Sequence, residues 1–270
     1  MMKYKVELIS KKAVKDVALI VPVFKEEKSV DLSAFGINGS LQKTINAQLK
    51  QKGFKQYKCV QLFTLGMAPC ERIILVSLGL RKSYTPHILR HMMASISREL
   101  RDLSLKAASI LFRDVLIKLD MQTLAQSVSE GVGLGLYSFQ DYQSDVSSTS
   151  LKALHLLLPN ASAVTAFKKG VQLGVIVSNS VNVARDLSNM PPNDLTPKAF
   201  VDRAKQLLKG SGLKIDVIDQ VKAKKMKMGA FLGVAQGSDQ PPYMMVIRYN
   251  GGAAKDKPLA WVGKGVTFDT

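Results

Sequence analysis

Short apolar, β-branched runs alternate with stretches of helical periodicity over the first 160 residues, and this alternation limits the possible folds more than any other feature. "VALIVPVF" (17–24), "RIILVSLG" (72–79), "LKAASILF" (105–112) and "LKALHLLLP" (151–159) read as buried strands. Between them, "GSLQKTINAQLKQKG" (39–53) reads as a helix with Ser40 as N-cap and Gly53 as its stop. "TPHILRHMMASISRELRDL" (85–103) opens with Thr85 and Pro86 and puts Ile88, Met92, Ile96 and Leu100 or Leu103 on one stripe. A third helix covers "MQTLAQSVSEGVGLGLYSF" (121–139). Strands separated by helices pair in parallel through crossover connections, so residues 1–160 are expected to form a layered α/β domain.

From residue 164, "VTAFKKGVQLGVIVSNSVNVARDLSN" can run as one helix to about Asn189, giving a linking helix over 161–190. The paired prolines of "MPPNDLTP" end it, and Thr196 and Pro197 cap and start the next helix. Strands are expected at 213–219, 243–250 and 257–263, with a short lysine-rich helix between the first two. Residues 191–270 thus read as a second α/β unit that is cut off mid-sheet.

A chain of 270 residues with 46% hydrophobic residues can bury two cores. No run reaches the roughly 18–20 apolar residues that cross a bilayer, and the start lacks a signal-peptide pattern, so the expectation is a cytoplasmic protein with no membrane contact. Cys59 and Cys70 form no CxxC pair and read as inert thiols of a reducing compartment. The formal charge of +17 favours acidic partners, DNA among them. The densest cluster, Lys222, Lys224, Lys225 and Lys227, reads as a solvated helix face.

His87 and His91 are spaced i, i+4, but the zinc-protease pattern needs Glu after the first histidine and Ile88 stands there. His155, flanked by leucines, reads as a core or edge histidine. "GVGLGLY" (131–137) follows a helix and not a strand, which argues for close helix packing over a phosphate loop. In "KPLAWVGKGVTFDT" (257–270) an apolar run leads into two glycines bracketing Lys264, with Asp269 five residues on. Open α/β sheets place ligands at the carboxyl ends of strands. Asp269 is a hard oxygen ligand, and a lysine can join it once a neighbouring dication favours loss of its proton. On residues alone, the stretch reads equally as a flexible loop.

Three segments, "NVARDLSNMPPNDLTPKAF", "MGAFLGVAQGSDQPPYMMVIRYN" and "KPLAWVGKGVTFDT", in this order and at these intervals, resemble the leucyl aminopeptidase family, the M17 cytosol aminopeptidases. "EGVGLGLYSFQDYQS" (130–144) resembles the segment that precedes the family's interdomain region. The resemblance implies a macro-like, three-layer N-terminal α/β domain followed by the first part of a metallo-aminopeptidase domain. It implies removal of N-terminal residues from peptides, two divalent metal ions (manganese or zinc) and assembly as a hexamer. It makes Lys264 and Asp269 metal ligands and names no catalytic residue within the chain. The family pattern continues past Thr270 with a glycine pair, a second lysine and further carboxylate ligands. The expectation is therefore a chain truncated within its catalytic domain, with little activity alone. Because some family members also bind DNA, a DNA-binding role is the second reading.

Overall fold

The four apolar runs of the first 160 residues all become strands of one sheet. The computed structural model describes residues 2–9, 16–51, 58–113, 119–144, 151–253 and 257–267. The chain divides into two units, Met1–Val183 and Ala184–Thr270. The first contains β1 (Lys3–Leu8), β2 (Ala18–Val23), α1 (Gly39–Lys50), β3 (Cys59–Phe63), β4 (Arg72–Ser77), α2 (Pro86–Asp102), β5 (Ala107–Leu111), α3 (Met121–Gly135), β6 (Ala153–Leu158) and most of α4 (Val164–Asn189).

The sheet has the order β1-β6-β5-β2-β4-β3. Every pairing is parallel except β3 with β4. That exception departs from the all-parallel expectation and has a simple cause. Only residues 64–71 separate the two strands, too few for a crossover, so the chain turns back on itself. β1 and β3, the two edge strands, are absent from the sequence reading. Their outward positions are polar or half-exposed, as in "KYKVEL", so neither shows the continuous apolar run of a buried strand.

β2 is buried along its whole length, and its alternating side chains serve two cores. Leu19, Val21 and Val23 pack with Leu41, Ile45 and Leu49 of α1. Ala18 and Ile20 join Met92, Ile96 and Leu100 of α2, Leu124 and Val128 of α3, and Phe167 of α4 on the opposite side. The result is the expected three-layer arrangement, with each fully buried aliphatic side chain contributing about 1.5–3 kcal/mol.

Caps fix the helix starts. The Thr85 hydroxyl accepts from the Ile88 N–H at 3.3 Å with Pro86 opening α2, as its sequence predicts. α1 differs: Asn38 occupies the N-cap, and Ser40 lies inside the first turn, where its hydroxyl contacts the Met67 sulfur. The expected stop at Gly53 lies outside the described residues. On α2 the buried face is Leu89, Met92, Met93, Ile96 and Leu100, with Ile88 only half-buried, because the helix packs against both the sheet and α3.

The glycines of "GVGLG" are packing glycines, and α3 ends with them at Gly135. Gly131 lies against the Arg90 carbonyl of α2, Gly135 against Ala94 of α2, and Gly133 against Ser178 of α4. Gly170 and Gly174 of α4 make the reciprocal approach to Gln122, Gln126 and Ser129 of α3. A Cβ at Gly131 would meet the Met93 Cβ at 2.7 Å and the Arg90 carbonyl closer still. Gly131→Ala, which raises helix propensity, is therefore expected to lower the stability of the first unit by about 1–3 kcal/mol. Gly233→Ala, where nothing lies within 4 Å, is the control and should gain up to about 1 kcal/mol. Urea melts of the two variants should move in opposite directions.

In the same helix layer Glu130 is buried, its carboxylate accepting from Arg90 Nε at 2.5 Å and from Gln126 Nε2 at 2.7 Å. The second unit contains α5 (Pro197–Leu207), β7 (Lys214–Ile218), α6 (Gln220–Lys225), α7 (Gly229–Val234) and β8 (Met244–Arg248). β7 and β8 pair antiparallel, from Lys214↔Arg248 to Ile218↔Met244.

Candidate functional site

The Thr196 hydroxyl accepts from the Ala199 N–H at 3.3 Å and Pro197 opens α5, which confirms the predicted cap and fixes the exit from the "MPPNDLTP" turn. The turn itself is held by the Asp194 and Leu195 N–H groups donating to the Pro191 carbonyl at 3.1 and 2.9 Å. Asp219 caps α6 through the Lys222 N–H, and the strands that flank that helix form the two-stranded sheet. Lys222, Lys224, Lys225 and Lys227 are all exposed, which is the solvated face expected of them.

The terminal stretch corrects one expectation. Residues 257–263, read as a strand, are irregular, and Leu259, Trp261 and Val262 are 81%, 91% and 95% exposed. A strand is stabilised by a ladder partner and a covered face, and among the described residues this segment has neither. Lys264 follows on the same irregular segment and is exposed. Asp269 lies outside the described residues, so its position relative to Lys264 is not described. Among the described residues no group of three or more His, Cys, Asp or Glu side chains is placed to hold a metal ion. The side chains described here do not by themselves fit a two-metal centre.

The other sequence candidates resolve into structural roles. The His87 and His91 rings lie 4.3 Å apart on exposed positions of α2, without a third ligand of the kind a metal cluster requires among the described residues. His155 sits on β6 with Nδ1 3.3 Å from Asp16 Oδ2, which also accepts from the Ser109 hydroxyl at 2.6 Å. The carboxylate, not the imidazole, occupies the middle of this group. The arrangement therefore ties β5, β6 and the entry to β2 without activating the serine. The nearness of Nδ1 to Asp16 is an electrostatic contact only, since its geometry does not make a hydrogen bond.

Cys70 is buried and Cys59 half-buried. Burial, aided by the nearby Glu99 charge, pushes the Cys59 thiol up to about 12, and burial likewise raises Cys70. Sequence reasoning passed over Glu27, Arg113 and Glu130, whose ion pairs join residues 86 or 40 positions apart. A charge inside a glycine-rich helix, as in "SEGVG", is the one signal that could have marked Glu130.

Residues 20–146 match the model of the cytosol aminopeptidase family's N-terminal domain, and residues 182–270 match that of the family's catalytic domain. The cytosol aminopeptidase of Pseudomonas aeruginosa is 33% identical over 275 residues, which take in the whole of this chain and 55% of the relative. A probable cytosol aminopeptidase of Alkaliphilus metalliredigens is 32% identical over 259 residues, covering 93% of this chain and 51% of that protein. The chain thus spans about half the length of these relatives. A variant of tomato leucine aminopeptidase superposes with a TM-score of 0.71 at 19% identity, over 91% of this chain and 50% of that one. The bottromycin maturation enzyme BotP in complex with Mn superposes with a TM-score of 0.68 at 20% identity, over 87% and 45%. At such identities the two structures speak for the fold alone. The two family-model matches stand in order and together take in most of the residues: the chain belongs to the cytosol aminopeptidase family, peptidase family M17.

Proposed function

We propose that this chain carries the N-terminal domain and the first ligand-bearing turn of a metal-dependent leucyl aminopeptidase. Such an enzyme removes N-terminal amino acids from peptides. The single observation that carries the reading is the 33% identity to a cytosol aminopeptidase along the entire chain. Lys264 and Asp269 are the proposed ligands of a pair of divalent ions, manganese or zinc, and the complete enzyme is proposed to be a cytoplasmic hexamer. Residues 1–160 form the proposed N-terminal domain, 161–190 the linking helix and 191–270 the beginning of the catalytic domain. In a two-metal hydrolase the ions polarise the scissile carbonyl and activate a water, which requires a full set of ligands. This chain's own contribution is narrower. The 190–197 turn and the caps of α5 and α6 fix the local backbone of the segment that leads toward the proposed ligands.

The test is hydrolysis of leucine p-nitroanilide with added Mn²⁺. The 270-residue chain alone is expected to stay at the metal-only background. The same chain fused to the remaining half of the P. aeruginosa relative's catalytic domain is expected to turn over in a Mn²⁺-dependent manner. Robust turnover by the chain alone would overturn the need for further ligands, and an inactive but folded fusion would overturn the functional reading.

A further inference from the structure

In the sheet order β1-β6-β5-β2-β4-β3 the chain winds outward in opposite directions from the β2/β5 pair. In open α/β sheets the carboxyl ends of the strands at such a reversal form the crevice that receives ligands. Here the two strands part early, their ladder covering only Leu19↔Ser109 and Ile20↔Ile110. Pro22, two residues on, has no N–H to leave unpaired, and its carbonyl accepts from Arg113 Nη2 at 2.7 Å. Arg113 follows the end of β5 and spans the gap.

The gap holds one anion. Glu27, in the turn after β2, accepts from Arg113 Nη1 at 2.7 Å and Nη2 at 3.1 Å, and from the Phe24 N–H at 2.7 Å. A guanidinium fork and a backbone amide thus converge on a single carboxylate whose side chain is 12% exposed. The Arg113 Nε is buried without a hydrogen-bond partner among the described residues. At the rim the Arg81 guanidinium lies 4.7 Å from the centre of the Phe24 ring, and its backbone N–H donates to Glu26. Planar fork, fixed amide and a second cation are the groups that bind carboxylates and phosphates.

We propose that the carboxyl ends of β2 and β5 form an oxyanion-binding site that the protein fills with its own Glu27, so that a free oxyanion must compete with a tethered one. The turn that holds the carboxylate is short, its Glu27 N–H donating to the Phe24 carbonyl at 3.0 Å, so the internal ligand is present at high effective concentration. The wild type therefore binds free phosphate weakly at this place, and removal of Glu27 uncovers the site.

The probe is inorganic phosphate, titrated at constant ionic strength against chloride because a chain of charge +17 attracts anions generally. The Phe24 amide resonance of the full 270-residue chain reports occupancy. Glu27→Ala is expected to bind phosphate at least tenfold more tightly than the wild type and to rise in Tm with phosphate. The double variant Glu27→Ala/Arg113→Gln should lose both responses. Equal phosphate responses in wild type and Glu27→Ala, or a response that survives loss of Arg113, would overturn the proposal; a purely structural ion pair predicts that outcome. Should Glu27→Ala fail to fold, Glu27→Gln keeps the side-chain volume, and a Phe24 shift no larger than the wild type's is then the refuting result.

Discussion

In the active fusion, Lys264→Arg is expected to abolish Mn²⁺-dependent turnover as completely as Lys264→Ala, by at least about 100-fold, or about 2.7 kcal/mol in the barrier. A lysine amine can offer a lone pair to a metal once it sheds its proton, whereas a guanidinium stays protonated and has no lone pair to give. Were Lys264 needed only as a positive charge, arginine would preserve activity, and that result would remove it from the ligand set. Asp269→Asn should cost a similar factor, since it keeps the shape of the side chain and loses the charge that holds a hard dication. Turnover measured against Mn²⁺ concentration separates the two possible failures. Loss of a ligand raises the metal requirement, while damage elsewhere lowers the plateau at unchanged requirement.

Glu130→Ala is expected to destabilise the first unit by about 3 kcal/mol. Glu130 is 4% exposed, and its carboxylate joins Arg90 of α2 to Gln126 of its own helix. Breaking a buried pair by removing one partner typically costs about 3–5 kcal/mol, and Arg90, a third exposed, recovers part of that through water. Glu130→Gln, which retains the volume and one acceptor, should cost only about 1–2 kcal/mol. Urea unfolding provides the check. An alanine variant within about 0.5 kcal/mol of wild type would mean that helix packing around Gly131 and Gly135, not the ion pair, holds α2 to α3.

What could be read in advance follows burial and sequence distance. β2, β4, β5 and β6 were legible because their cores make each a run of apolar residues, and Thr85 and Thr196 were legible as caps because capping is decided within four residues. β1 and β3 escaped because an edge strand keeps one side in water and alternates weakly. The α1 cap was placed two residues late, at Ser40, since Asn38 and Ser40 are both good capping types and only the backbone decides between them. The apolar letters of "LAWV" suggested a strand, yet apolar residues form a strand only where something pairs with and covers them, and the described residues supply neither. The family motif pointed to Lys264 through its spacing. The Glu27–Arg113 pair had no such signal, because 86 residues separate partners that only the sheet brings together.

The pairing of β1 with β6, in which Lys3 lies beside Ala153, sets a timetable for the chain's birth on the ribosome. Every other strand of the sheet finds a neighbour nearer in sequence, but β1 is made first and cannot be seated until β6 emerges about 150 residues later. At synthesis rates of about 5–20 residues per second, that is a wait of roughly 8–30 s. Its exposed lysines, Lys3 and Lys5, make it a poor template for stray strand pairing during the interval. The charged outer strand is thus suited to waiting as much as to closing the sheet.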